Sequence, residues 1–169
     1  MRVLGIDPGT QVMGYGVVEE EQRRLAHVVD GTIAPSGELA QRLTDLYDGL
    51  QELIRTYAPD AVAMESPFYA KNMTTTLKLG QVQGVVVIAA THAALGSCAY
   101  TPMEVKSAVA GYGKATKAQV REMVKRLLGI DGPLSLDASD ALAVAICHIH
   151  TASLKATYGQ HLSAQTTGR

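Results

Sequence analysis

The six-residue run Arg2 to Asp7 (RVLGID) constrains this chain more than any other feature. It has the length and apolar content of a strand buried in a sheet, yet it ends on a carboxylate followed at once by the turn signal Pro8-Gly9. A charge at the end of a buried strand is costly unless it is paired or holds a cation. A second run, Gln11 to Glu19, follows the turn closely enough to pair back on the first, and Leu25 to Ile33 reads as a third. Together they predict an antiparallel meander.

The pattern then changes period. Leu39, Leu43, Leu46, Tyr47, Leu50, Leu53, Ile54 and Tyr57 recur as on one face of a helix over 38–57. A short buried strand, 60–64, again stops at an acid, Glu65. A long helix is expected over 74–95, although VVVIA inside it has strand propensity, and 97–101 reads as a fifth strand. Thr116 with Gln119 three residues later is a capping-box signal for a helix that runs to Leu128 and stops at Gly129. A last helix begins near Asp137. This order predicts an α/β fold, a mixed five-stranded sheet with helices. With 169 residues and 47% hydrophobic content, one domain over 1–154 is expected, hiding ~70% of its unfolded surface. The polar composition from about residue 155 predicts a mobile C-terminal tail.

No charged residue occurs between Leu79 and Met103, long enough to raise the question of a membrane span, but Gln81, Gln83, Thr91, His92 and Ser97 interrupt it. A buried or interface helix fits better, and no membrane association is expected. Cys98 and Cys147 have neither CxxC spacing nor a signal peptide ahead of them, which makes the reducing cytoplasm the simplest home. The net charge of −1 conceals an asymmetry: residues 1–65 carry 5 Lys/Arg against 11 Asp/Glu, whereas 66–130 carry 8 against 2. Lys71, Lys78, Lys106, Lys114, Lys117 and Arg121 all fall in that basic stretch. A polyanion-binding face needs such a region, and an ordinary solvated helix surface fits the charges equally well.

Four acids stand where elements end or begin. Asp7 closes the first strand, Glu65 follows the fourth, and Asp137 and Asp140, three apart, share one face of the last helix's first turn. Singly, each has a plain explanation: Asp before Pro-Gly is a common turn residue, Asp137 is a fitting N-cap, and Asp140 complements the helix dipole. Together they predict carboxylates converging at one sheet edge, an oxygen ligand set suited to Mg²⁺ or Mn²⁺. Two such ions ~4 Å apart activate water and stabilise a leaving oxygen in phosphodiester hydrolysis.

The segments GIDPGTQVMGYGVV, ESPFYAKN with LKLGQVQGV, and DASDALAVAICH resemble, in order and spacing, those of the RuvC family of bacterial Holliday junction resolvases. The resemblance covers roughly residues 1–151. It implies a ribonuclease H-like fold, a homodimer, metal-dependent nicking of two opposed strands in four-way DNA junctions, and partnership with a RuvAB-type branch-migration motor. It places the catalytic acids and metal ligands at Asp7, Glu65, Asp137 and Asp140. It also implies DNA contacts by Phe68, Tyr69, Lys106 and Lys117, where Phe68 offers a ring to an unpaired base; a core role for Phe68 and solvated lysines are the plainer readings. Gly80 and Gly84 form GxxxG on the long uncharged helix, open to either a dimer contact or close packing in the core. His148 and His150 diverge by ~200° on their helix and are read as structural.

Two rivals remain on sequence alone. Asp-x-Gly-Thr after a first strand also occurs in actin-like nucleotide-binding proteins, which need about twice this length. Another nuclease of the same fold would carry the same acids.

Overall fold

The structure, a computed structural model, describes residues 1–66 and 73–166, with side chains described to residue 155. Three strands come first: β1 (Arg2–Asp7), β2 (Met13–Glu21) and β3 (Arg24–Ile33). They are followed by α1 (Leu39–Tyr57), β4 (Ala61–Glu65), α2 (Met73–His92), β5 (Gly96–Tyr100), α3 (Pro102–Ala110), α4 (Lys117–Leu128) and α5 (Leu136–Thr166). The sheet order is β3-β2-β1-β4-β5. The meander β1–β2–β3 is antiparallel, whereas β4 and β5 run parallel to β1. The sheet is therefore mixed, as expected.

Strand alternation sorts the core into two layers. Leu4 and Ile6 of β1, Val17 of β2 and Val62 and Met64 of β4 pack with Leu46, Leu50 and Leu53 of α1 and Val82, Val86, Ala89 and Ala90 of α2. Val3, Val18 and Ala63, of opposite parity, pack with α3, α4 and the fully buried Leu142, Ile146 and Ile149 of α5. By the same two-residue period, Asp7 and Glu65 share the face of Val3 and Ala63, the face that α5 covers.

Helix α5 lies unusually close to the sheet because the strands lack side chains beneath it. A Cβ added at Gly5 would stand 2.1 Å from the Ala141 carbonyl oxygen, and one at Gly14 would stand 2.2 Å from that of Asp137. The glycines hold the first turns of α5 directly against β1 and β2.

The structure departs from sequence expectation in two places. Helix α3 was not resolved by the apolar pattern, although Thr101, Pro102 and Glu104 mark its start: Thr101 and Glu104 form a reciprocal capping box with Pro at the helix's first turn. Within α2, VVVIA is helical, as the expected long helix requires: one side of α2 packs on the sheet, and tertiary burial overrides β-propensity. Helix α5 runs on to Thr166, beyond the point at which composition suggests a tail. At α4 the expected capping box and the stop at Gly129, with φ 65°, are both present.

Candidate functional site

Asp7 and Glu65 end neighbouring parallel strands. Ile6 pairs with Met64, so the next residue on each strand places the two carboxylates side by side at one sheet edge. Asp137 and Asp140 reach the same edge from the first turn of α5, seated there by Gly14 and Gly5. Glu65 is further fixed through its surroundings: it pairs with Tyr100 across β5, Ser66 N–H donates to the Tyr100 carbonyl at 2.8 Å, and Gln83 of α2 donates to the Glu65 carbonyl at 3.4 Å.

The electrostatics report how closely these acids stand. The Asp7 carboxyl is pushed up from 3.8 to about 7, first by burial, then by the negative charges of Asp140 and Glu65, with a smaller push from Asp137; the Lys117 ammonium opposes them. Burial and Asp140 also raise the Glu65 carboxyl, while Lys117 and Lys106 draw it down. A carboxylate held near neutrality in this way lacks positive charge. Part of it comes from Lys117, whose Nζ donates to Asp140 Oδ2 at 2.5 Å. That bond, together with the charges of Asp140, Asp7 and Glu65, holds the Lys117 ammonium above its ordinary range against partial burial.

All four predicted acids therefore come together at one edge. Among the described residues, however, no three Asp, Glu, His or Cys side chains are closed into a metal-ligand group. The donor set fits a hard divalent cation in kind, being all carboxylate oxygen, and its raised carboxyl groups are what such a cation would relieve. A cavity of about 230 Å³ opens beside the acids, lined by Glu65 and Asp140, by Lys106 of α3 and Lys117 of α4, and floored by Pro102, Val105, Val120 and Ala143.

The other predicted residues divide. Lys106 and Lys117 flank the cavity. Lys114 is exposed in the connection between α3 and α4, and Arg121 is half-buried on α4. Lys78 is exposed on α2, in the opposite layer from Lys106 and Lys117. Phe68, Tyr69 and Lys71 lie outside the described residues. Among the described residues, a Cβ at Gly80 or Gly84 meets nothing within 4 Å, so none of them packs closely against that pair. Around them Met73, Leu77, Val87 and Ile88 of α2 are exposed. His148 Nδ1 shares a 2.9 Å hydrogen bond with the Tyr100 hydroxyl, and His150 Nδ1 stands 3.2 Å from the Ala108 carbonyl; both tie α5 to its neighbours and neither joins the acids.

Sequence reasoning missed the seat of α5 on Gly5 and Gly14, and the ion pair of Lys117. Glycine inside a strand signals a close backbone approach, but the element that approaches is visible only in the fold.

Comparison with known proteins agrees with this geometry. The family model described as "Crossover junction endodeoxyribonuclease RuvC" matches residues 3–148. The protein of that name from Syntrophotalea carbinolica is 51% identical over 152 residues, 89% of this chain and 94% of the relative. The one from Shewanella amazonensis is 44% identical over 168 residues, 99% of this chain and 97% of the relative. Among solved structures, Thermus thermophilus RuvC in complex with a Holliday junction substrate superposes with a TM-score of 0.87 at 33% identity, covering 92% of this chain and 96% of that one. The yeast mitochondrial resolvase Ydc2 shares the fold, with a TM-score of 0.62 at 14% identity. With the match spanning the strand ends and the start of α5 that carry the four acids, this chain belongs to the RuvC family of crossover junction endodeoxyribonucleases.

Proposed function

We propose that the chain resolves four-way DNA junctions by hydrolysing phosphodiesters at the edge where Asp7, Glu65, Asp137 and Asp140 meet. The observation that carries this reading is the convergence of four carboxylates from three separate elements beside a basic-flanked cavity, in a chain 51% identical to a crossover junction endodeoxyribonuclease. Asp7, Glu65 and Asp140, with Asp137, are the residues that would hold divalent ions, Mg²⁺ or Mn²⁺; such ions, when bound, supply an activated water and charge for the leaving oxygen. The chain's own part is placement. Two strand ends and one helix turn fix the carboxylates on rigid elements, and Lys106 and Lys117 offer cationic contacts to the phosphates on either side of the cleaved bond.

The substrate's symmetry supports action as a homodimer. A four-way junction with two-fold symmetry presents two matching phosphates, and a closed C2 pair presents two matching acid clusters. The exposed apolar side of α2, with Gly80 and Gly84 leaving room for close approach, is the surface we assign to that contact. Phe68, Tyr69, Lys71, Lys78, Lys114 and Arg121 are assigned to DNA, and a RuvAB-type motor to junction delivery, by family membership. The cytoplasm is the compartment in which such a DNA substrate is met.

Nicking rates with Mg²⁺ on a four-way junction, the matching plain duplex and an RNA–DNA hybrid test the reading. Strong preference for the junction is expected. Equal rates on the hybrid would reassign the chain to another nuclease chemistry of this fold.

A further inference from the structure

Lys117 does something in this structure that phosphate binding does not require. Its ammonium is bonded to Asp140, whose side chain is only 12% exposed, while the side chain of the lysine remains 69% exposed. Lys117 is the first residue of α4, held there by the Thr116–Gln119 capping box. The same ammonium is the positive charge that offsets both Asp7 and Glu65. Among the described residues no second lysine is hydrogen-bonded to a carboxylate of the cluster: Lys106 lines the same cavity and acts on Glu65 only through space.

We propose that Lys117 is the acid cluster's built-in counter-ion, occupying Asp140 until a divalent ion displaces it and thereby frees its ammonium for the DNA backbone. The inference rests on the reading of the four acids as the ion-binding site. Like charges held together at a partly buried edge are relieved either by a proton, as at Asp7, or by a cation. A lysine on a flexible stem supplies one without fixing coordination geometry, and its three rotatable donors release readily to another oxygen. A divalent ion on Asp140 would stand within a few ångströms of the Lys117 ammonium, and the repulsion of like charges that close disfavours joint occupancy, so the two compete. The consequence is an order of events within one side chain. A metal-free centre keeps Lys117 away from DNA, and a loaded centre presents it.

Mn²⁺ binding to the intact protein without DNA, by titration calorimetry, reads the competition directly. Lys117→Met keeps the stem and removes the charge; it should tighten Mn²⁺ about fivefold, the loss of one competing ion pair. Lys117→Arg should bind Mn²⁺ no tighter than the unmodified protein. Lys106→Met removes an equal charge from the same cavity without a carboxylate contact, and should change affinity less than twofold. Lys117→Met with unchanged or weaker Mn²⁺ affinity, or Lys106→Met with an equal gain, overturns the proposal. Asp7→Asn separates this from the site itself. If it leaves Mn²⁺ affinity intact, the acids are not the ion site and the proposal falls with that reading; if it abolishes binding while Lys117→Met changes nothing, the counter-ion role alone fails. The release step has its own readout. With Ca²⁺ present, Lys117→Met should lower the salt slope of junction binding by about one relative to the unmodified protein, and without a divalent ion it should not. An equal difference in both conditions overturns release.

Discussion

At Asp7 the fold keeps a carboxyl group whose ionisation works against folding. Its native value of about 7 stands above the ordinary 3.8. Between those values the native state holds a proton that the unfolded chain has released, so stability in the absence of divalent ions falls as pH rises from about 4 to about 7. Asp7→Asn removes that cost. Its melting temperature without divalent ions at pH 8 should rise by roughly 3–6 °C, a gain of ~1–2 kcal/mol, and calorimetry that shows a loss would contradict the electrostatic picture. Phe68 is tested differently. If its ring stacks on a base, Phe68→Ala should abolish nicking with an unchanged melting temperature, whereas a core ring would cost ~3–5 kcal/mol of stability. At this scale Asp7 and Glu65 were legible, because an acid that ends a buried run is conspicuous in one dimension. The partner of Lys117 was not, since Asp140 lies 23 positions away and their contact depends on how α4 packs on α5.

Among the elements, α5 and its seat matter most. The helix was evident from DASDALAVAICH, but its depth is set by glycines in strands over 120 residues earlier. Gly14→Ala tests this. Its methyl would land on the Asp137 backbone, which cannot swing aside as a side chain tip does, so the first turn of α5 should shift at a cost of ~1–3 kcal/mol. Nicking should fall well below what that stability loss explains. Gly96→Ala, where a Cβ meets nothing within 4 Å among the described residues, should leave nicking unchanged. Helix α3 escaped the sequence reading for another reason. Nine residues are too few for a clear apolar period, and only its cap, Thr101 to Glu104, announces it. The five strands, α1, α2, α4 and the start of α5 were recovered within a few residues because two-residue and 3.6-residue periods are properties of contiguous chain. The cavity between α3, α4 and α5 had no such signature.

For the whole molecule, the two layers of the fold divide the work. The layer of α3, α4 and α5 meets the sheet at the acids and lines the cavity, and the layer of α1 and α2 leaves an apolar side of α2 open. If that side joins two copies, Gly84→Arg should sediment as a monomer with its melting behaviour largely kept, and a stable dimer would move the contact elsewhere. No helix among the described residues is long and apolar enough to cross a membrane, so the uncharged stretch is accounted for by α2 and β5. We assign the nuclease centre of a junction-resolving enzyme to the four acids on one sheet edge. A supercoiled plasmid carrying an extruded cruciform, incubated with Mg²⁺, tests it most directly, since two opposed cuts in one encounter give linear DNA and a single cut gives a nicked circle. The unmodified protein should yield linear product, mixed dimers with one Asp7→Asn subunit should yield nicked circles, and Asp7→Asn alone should bind the cruciform and cut nothing; linear product from Asp7→Asn at a rate near that of the unmodified protein would contradict the account.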